Sequence, residues 1–208
     1  MPDFRLELAH PGLVAGIDEA GRGPWAGPVI AAAVVLDRDR LPMGLLNTID
    51  DSKALSRARR KQIYAGLRAL IGNGVHIGIG GASAAEIDRV NVLEATMLAM
   101  GRALRALDVL PDLALVDGNR APKLPCAVKT VVGGDRLSLS IAAASIVAKV
   151  TRDGIMAELA RRHPGFGWEH NAGYGTARHQ EGLAAQGPTR HHRRSFAPIR
   201  RLLEPESP

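Results

Sequence analysis

Leu13-Val14-Ala15-Gly16-Ile17-Asp18-Glu19-Ala20-Gly21-Arg22-Gly23 is the stretch on which the fold turns. Its opening apolar run reads as a buried strand. Two carboxylates at the end of such a strand cost burial energy unless a cation compensates them, and a metal ion is the usual one. The loop that follows, Gly21-Arg22-Gly23-Pro24-Trp25-Ala26-Gly27-Pro28, is rich in glycine, which lets a large ligand approach the backbone closely. Acids at a strand end beside a glycine-arginine-glycine loop point to a metal site facing a polyanion.

Working outward, apolar runs alternate with helical periodicity. Strands are expected over 13–18, 29–36, 74–80, 113–117 and 127–132, and helices over 56–71, 84–90, 92–107 and 137–162. Ser56 is a fitting N-cap for a helix that keeps Ile63, Leu67, Leu70 and Ile71 on one face. Asn91 is expected to break two consecutive helices, the second carrying a core stripe of Leu93, Met97, Met100 and Leu104. The stretch from Ser140 to Val150 is small and apolar nearly all round, which marks a helix buried against a sheet. The pattern predicts an α/β fold: a mixed central sheet with helices on its faces. Beyond Pro164, Gly, His, Arg and Pro dominate, so a main domain over 1–162 is expected to carry a short helical C-terminal element over 163–208.

Composition fits a polyanionic partner. There are 27 Lys plus Arg against 21 Asp plus Glu, a net charge of +6, and only five of the cations are Lys. Arg matches phosphate geometry with paired hydrogen bonds where Lys offers a point charge. The single cysteine, Cys126, excludes an internal disulfide and reads as a small buried hydrophobe. The N-terminus lacks a signal pattern and no apolar run approaches a membrane span, so a soluble cytoplasmic chain is expected, with monomer as the default.

Two further acids stand in similar places. Asp117 closes the run Leu113-Ala114-Leu115-Val116, and Asp135 follows Val131-Val132-Gly133-Gly134. Ligand sites of open α/β sheets gather at the carboxyl ends of strands, so these acids are placed to converge with Asp18 and Glu19. Neighbouring strand residues point to opposite faces, so Asp18 and Glu19 cannot both face one site from a regular strand. Each acid alone has an ordinary reading: Asp117-Gly118 as a turn, Asp135 as the cap of a helix starting near Leu137. An all-oxygen donor set favours Mg²⁺ or Mn²⁺ over zinc.

The run from Gly16 to Pro24 resembles the signature of ribonuclease HII. So do Asp51-Ser52-Lys53, Val116-Asp117-Gly118-Asn119, Gly134-Asp135 with the helix from Ser140 to Lys149, Thr151-Arg152-Asp153, Gly173-Tyr174-Gly175-Thr176 and His192-Arg193-Arg194-Ser195-Phe196. The resemblance runs in order over about residues 13 to 198. It implies an RNase H-like fold and a metal-dependent endonuclease that cleaves the RNA strand of RNA–DNA hybrids and nicks 5′ to a lone ribonucleotide in duplex DNA. It further implies metal-binding and catalytic roles for Asp18, Glu19, Asp117 and Asp135 on two divalent ions. Contact with the ribonucleotide would fall to Gly21, Arg22 and Gly23, and stacking at the RNA-to-DNA junction to Tyr174. Ser52 and Lys53 are expected near a phosphate, and Ser140 against the DNA strand. Asn171-Ala172 departs from the lysine of many relatives, so the phosphate contact that the resemblance would place there does not carry over, while the chemistry does.

A non-catalytic nucleic-acid binder and a DNA nuclease of the same fold are the alternatives. Four intact acids argue against the first, and the Arg22 loop with Tyr174 against the second. The resemblance admits a sliding clamp as a partner, yet the tail from Leu202 to Pro208 carries no convincing clamp-binding pattern.

Overall fold

The computed structural model describes residues 1–204. Its centre is a five-stranded sheet in the order β3-β2-β1-β4-β5. The strands are β1 (Val14–Ala20), β2 (Val29–Leu36), β3 (Val75–Ala82), β4 (Leu113–Asp117) and β5 (Ala127–Val131). β1 to β3 form an antiparallel meander, while β4 and β5 run parallel to β1, which makes the sheet mixed as expected. The helices are α1 (Arg5–Leu8), α2 (Met43–Leu46), α3 (Arg57–Ala69), α4 (Ala84–Arg105), α5 (Leu139–Arg162), α6 (Trp168–Asn171), α7 (Ala177–Gln186) and α8 (Ala197–Leu203). Among the described residues no helix is long and apolar enough to cross a membrane.

Two cores lie on opposite faces of the sheet. Ala32 and Val34 pack under α3 and α5 through Ile63, Leu67, Ala143 and Val147; Ala31, Ala33 and Val35 pack under α4 through Ala95, Ala99 and Ala103. Alternation along β2 therefore serves both faces, which is why its eight residues are all buried and apolar. Helix backbone meets sheet backbone directly where glycine allows it. A Cβ on Gly16 would stand 2.1 Å from the Ser140 carbonyl carbon, and one on Gly80 would stand 2.2 Å from the Ala99 oxygen. This close approach corrects the expected α4 stripe. The alanines face the sheet with Met100 and Leu104, while Leu93 and Met97 are only half-buried.

Asn91 breaks α4 as expected, with φ 67° and ψ 166° inside an otherwise continuous helix. Its side chain recaps the second segment by accepting from the amides of Leu93 and Glu94. Ser83 and Glu86 form a reciprocal capping box at the front of the helix. At α5 the cap is Ser138, which accepts from the Ile141 amide. Asp135 is thereby released from the capping role and sits instead in a 3-10 turn over Gly134–Arg136.

The C-terminal segment wraps back over the 21–28 loop. Phe166, Trp168, Leu183 and Ile199 form a third apolar cluster with Ala26, Met156 and Ala160. Residues 205–208, the end of the tail read above for a clamp-binding pattern, lie outside the described residues.

Candidate active site

Parallel pairing of β1 with β4 brings their carboxyl ends to the same edge of the sheet. Their ladder stops at Ile17–Val116, and the next residues along are Asp18 and Asp117. β1 stays in register with β2 through Ala20, so no bulge turns Asp18 and Glu19 the same way. Asp18 points to the α5 face, beside the Ser145 hydroxyl, and Glu19 to the α4 face near Thr96 and Met100. The two side chains nonetheless line one cleft at the strand's end. Asp117 reaches the same place from β4, its Oδ1 accepting from the Gly134 amide at 2.7 Å, which ties it to the turn carrying Asp135.

These side chains line or border a cleft of about 380 Å³ that also exposes Gly21, Arg22, Gly23, Ser52, Lys53, Lys149 and Tyr174. Asp18 and Asp135 are buried, at 5% and 3% exposure. Burial, with the charges of Glu19 and Asp117 behind it, holds Asp18 well above the usual carboxylate range. Glu19 is raised by burial against the pull of Arg22, and Asp117 by burial with Asp135 adding to it. Buried acids that push up one another's pKa form a site that gains from bound positive charge.

The chain supplies some of that charge itself. Lys53 Nζ donates to Asp135 Oδ2 at 3.1 Å, and Arg22 Nη1 to Glu19 Oε1 at 3.3 Å. Both cations are largely solvated, at 76% and 51% side-chain exposure, so each is free to swing away. With these contacts in place, no three His, Cys, Asp or Glu side chains among the described residues close into a ready-made ligand group. The donor set nonetheless fits hard divalent cations: it is all carboxylate oxygen and mostly buried, and Asp18, Glu19 and Asp117 are raised first by burial and then by neighbouring acids.

Asp51 organises the loop before α3 by accepting from the Lys53 amide and from Arg136 Nε. Arg60, in the basic run Arg57-Ala58-Arg59-Arg60-Lys61, turns inward and donates to the carbonyls of Ser52 and Leu55. Ser52 is buried, its hydroxyl 2.8 Å from that of Ser145. Ser140 does not reach the cleft. It is wholly buried under Gly16, with its amide donating to Glu7 and its hydroxyl unpartnered among the described residues. The serine of α5 that does line the cleft is Ser145, a turn and a half further on. Its polarity inside an apolar run was the available signal.

Tyr174 stands on the rim at 50% exposure, and a Cβ on Gly23 would come within 3.4 Å of its ring. The Trp25 indole lies so close beneath Gly175 that a side chain there would meet it at 2.1 Å. Lys149 pairs with Asp153 one turn further along α5, at 2.7 Å. The run His191-His192-Arg193-Arg194 is in part interior: His192 and Arg193 are 1% and 0% exposed. His192 donates from Nε2 to His179 Nε2, and its Nδ1 accepts from the Thr189 amide. Burial first, then His179, pushes it down to about 4, which keeps the ring neutral.

The model of the family "Ribonuclease HII" matches residues 15–199. The chain is 58% identical over 208 residues to a ribonuclease HII of Gluconobacter oxydans, covering 100% of this chain and 99% of that one. Its structure resembles the crystal structure of ribonuclease H2 from Pyrococcus horikoshii, with a TM-score of 0.76, 28% identity and coverage of 91% and 96%. It also resembles the RNase HII solved in complex with PCNA from Archaeoglobus fulgidus, with a TM-score of 0.71, 26% identity and coverage of 88% and 95%. The sheet order, the strand-end acids and these matches agree: the chain belongs to the ribonuclease HII family and is an endonuclease of the RNase H type.

Proposed function

We propose that the chain cuts RNA–DNA hybrids and also nicks duplex DNA on the 5′ side of a single embedded ribonucleotide, using two divalent ions, Mg²⁺ or Mn²⁺, held by Asp18, Glu19, Asp117 and Asp135. One observation carries this reading. A cleft lined by Asp18, Glu19 and Asp117, with buried Asp135 tied to it through Lys53, has the Arg22 loop and Tyr174 side by side on its rim. When bound, the ions supply the charge that activates an attacking water and stabilises the leaving oxygen.

The chain's own residues do the selecting. Backbone groups of Gly21, Arg22 and Gly23 lie where no side chain keeps a sugar away, and a 2′-OH is the only mark of a ribonucleotide in DNA. Tyr174 offers a stacking face to the next sugar. Arg22 and Lys53 exchange their carboxylate partners for phosphates as substrate enters. No contact in this set reads base edges, so cleavage is independent of sequence. Residues 163–208 act as a gripping element on the catalytic body of 1–162, since they carry Tyr174. The enzyme works as a cytoplasmic monomer on its DNA.

The test is a duplex with one ribonucleotide, incubated with Mg²⁺, Mn²⁺ or EDTA. A metal-dependent nick 5′ to the ribonucleotide, absent from all-DNA duplex, is the expected result. Cleavage of long hybrids alone would remove the assigned roles of Tyr174 and the Arg22 loop.

A further inference from the structure

Two arginines are almost completely buried, Arg152 at 1% and Arg193 at 0% exposure, and neither has an ion-pair partner among the described residues. A buried charge demands hydrogen bonds, and both guanidiniums spend theirs on backbone carbonyls. Arg152 donates to Ala26, Pro28 and Ala172, and Arg193 to Gly21, Arg22 and Gly27. All but one of these carbonyls belong to the 21–28 loop. A glycine-rich loop has few side chains with which to pack itself, and these two forks do that work from beneath. Gly21 must lack a side chain for this, because a Cβ there would stand 1.9 Å from Arg152 Nε.

The grip fixes which way the loop's amides point. No peptide bond among the described residues is cis, so each carbonyl and the following N–H point in opposite directions. Arg193 holds the carbonyls of Gly21 and Arg22, which turns the amides of Arg22 and Gly23 away from the interior. Neither amide meets an acceptor among the described residues, and the open side of this loop is the cleft.

Arg193 is itself held from behind. Asp88, on α4, accepts from the Arg194 amide at 3.0 Å and from the Ser195 amide and hydroxyl at 2.8 and 2.7 Å. On the other flank, Arg193 N donates to Trp25 O at 2.8 Å and Gly27 N to His191 O at 2.9 Å. The segment is laced to the loop's own second half.

We propose that Arg193, anchored by Asp88, is a positioning residue for ribonucleotide selection, fixing the two peptide planes that present the Arg22 and Gly23 amides to the substrate. This rests on the reading of Gly21 to Gly23 as the loop that meets the ribonucleotide.

The test is Arg193→Lys and, separately, Asp88→Asn in the full chain. Lysine keeps the charge but cannot fork to three carbonyls. The dissociation constant is measured for a duplex with one ribonucleotide and for its all-DNA counterpart, alongside kcat and KM for cleavage of the first. Wild type must prefer the ribonucleotide; if it does not, the functional reading fails before the variants are compared. With that preference in hand, Arg193→Lys is expected to cut it about tenfold and Asp88→Asn by a few fold, roughly one lost hydrogen bond's worth. The change should appear mainly in KM, with affinity for all-DNA duplex held. An unchanged preference in either folded variant, or equal weakening on both duplexes, overturns the proposal. If Arg193→Lys does not fold, the Asp88→Asn result decides.

Discussion

Gly16→Ala is the sharpest test of how the site is built. Gly16 lies two residues before Asp18 on the same face of β1, where the backbone of α5 passes directly over it. The added methyl would stand 2.1 Å from the carbonyl carbon and 2.2 Å from the next amide nitrogen, whereas ordinary contact begins at 3.4 Å. Both obstacles are backbone, so no side chain can rotate clear and α5 must retreat by about 1.3 Å from the sheet. Overpacking of this kind costs about 3 kcal/mol at the upper end of its usual range. In a chain of this size that is a fall in Tm of about 6–12 °C. The same retreat carries Ser145 away from Asp18, and a misplacement near 1 Å can cost about a hundredfold in rate. Thermal unfolding and cleavage of a hybrid, measured on purified variant and wild type, give both readings. A Tm within about 2 °C of wild type with activity within about threefold would refute the reasoning, since the helix would then have room the geometry denies it.

Asp18→Asn should abolish cleavage yet raise the Tm of the metal-free chain at neutral pH, because burial and then Glu19 and Asp117 disfavour the charge it removes; an equal or lower Tm in EDTA would contradict this. Tyr174→Ala should leave Tm unchanged, given 50% exposure, and weaken cleavage at a single ribonucleotide by about tenfold or more, as the loss of one stacking face implies; unaltered cleavage would remove the stacking role. Glu86 is held down to about 2, chiefly by the Arg102 guanidinium and then by the Ser83 amide. Its folded value lies below its ordinary 4.5, so its contribution is complete above pH 4.5 and is lost as pH falls toward 2. The pair is partly solvated, at 42% and 23% side-chain exposure, so Glu86→Gln should cost only about 0.5–1 kcal/mol in urea unfolding at pH 7 and progressively less on acidification.

Much of the sheet was legible because its strands are apolar runs ended by turn residues, and β2 and β4 fall at the expected limits. The break at Asn91 was legible from a single polar residue between two periodic stretches. What the sequence hid were contacts made by residues that look like surface. Arg60, His192 and Arg193 carry charge or polarity in basic runs, and solvation is the ordinary expectation for such runs. Arg193 is buried on carbonyls 166 to 172 residues away, His192 against the ring of His179, and half-buried Arg60 on the carbonyls of Ser52 and Leu55; none of these contacts leaves a periodic trace. Ser140 and Ser145 share one helix, and choosing between them required knowing which turn of α5 abuts Gly16. The direction of Asp18 and Glu19 was posed correctly by strand alternation; its resolution, with both side chains lining one cleft at the strand's end, needed the register.

The bonds from Arg193 to Gly21, Arg22 and Gly27 join positions 166 to 172 residues apart. During synthesis the acids through Asp135 emerge well before the side chain that holds the loop. A nascent or prematurely terminated chain can therefore assemble the sheet and its carboxylates while the loop above them still samples many shapes. Loop closure over such a span comes late and is entropically slow. On the proposed reading, competence to choose a substrate thus waits for the segment around Arg193, and a break in the chain between the acids and that segment is the cheapest way to lose it.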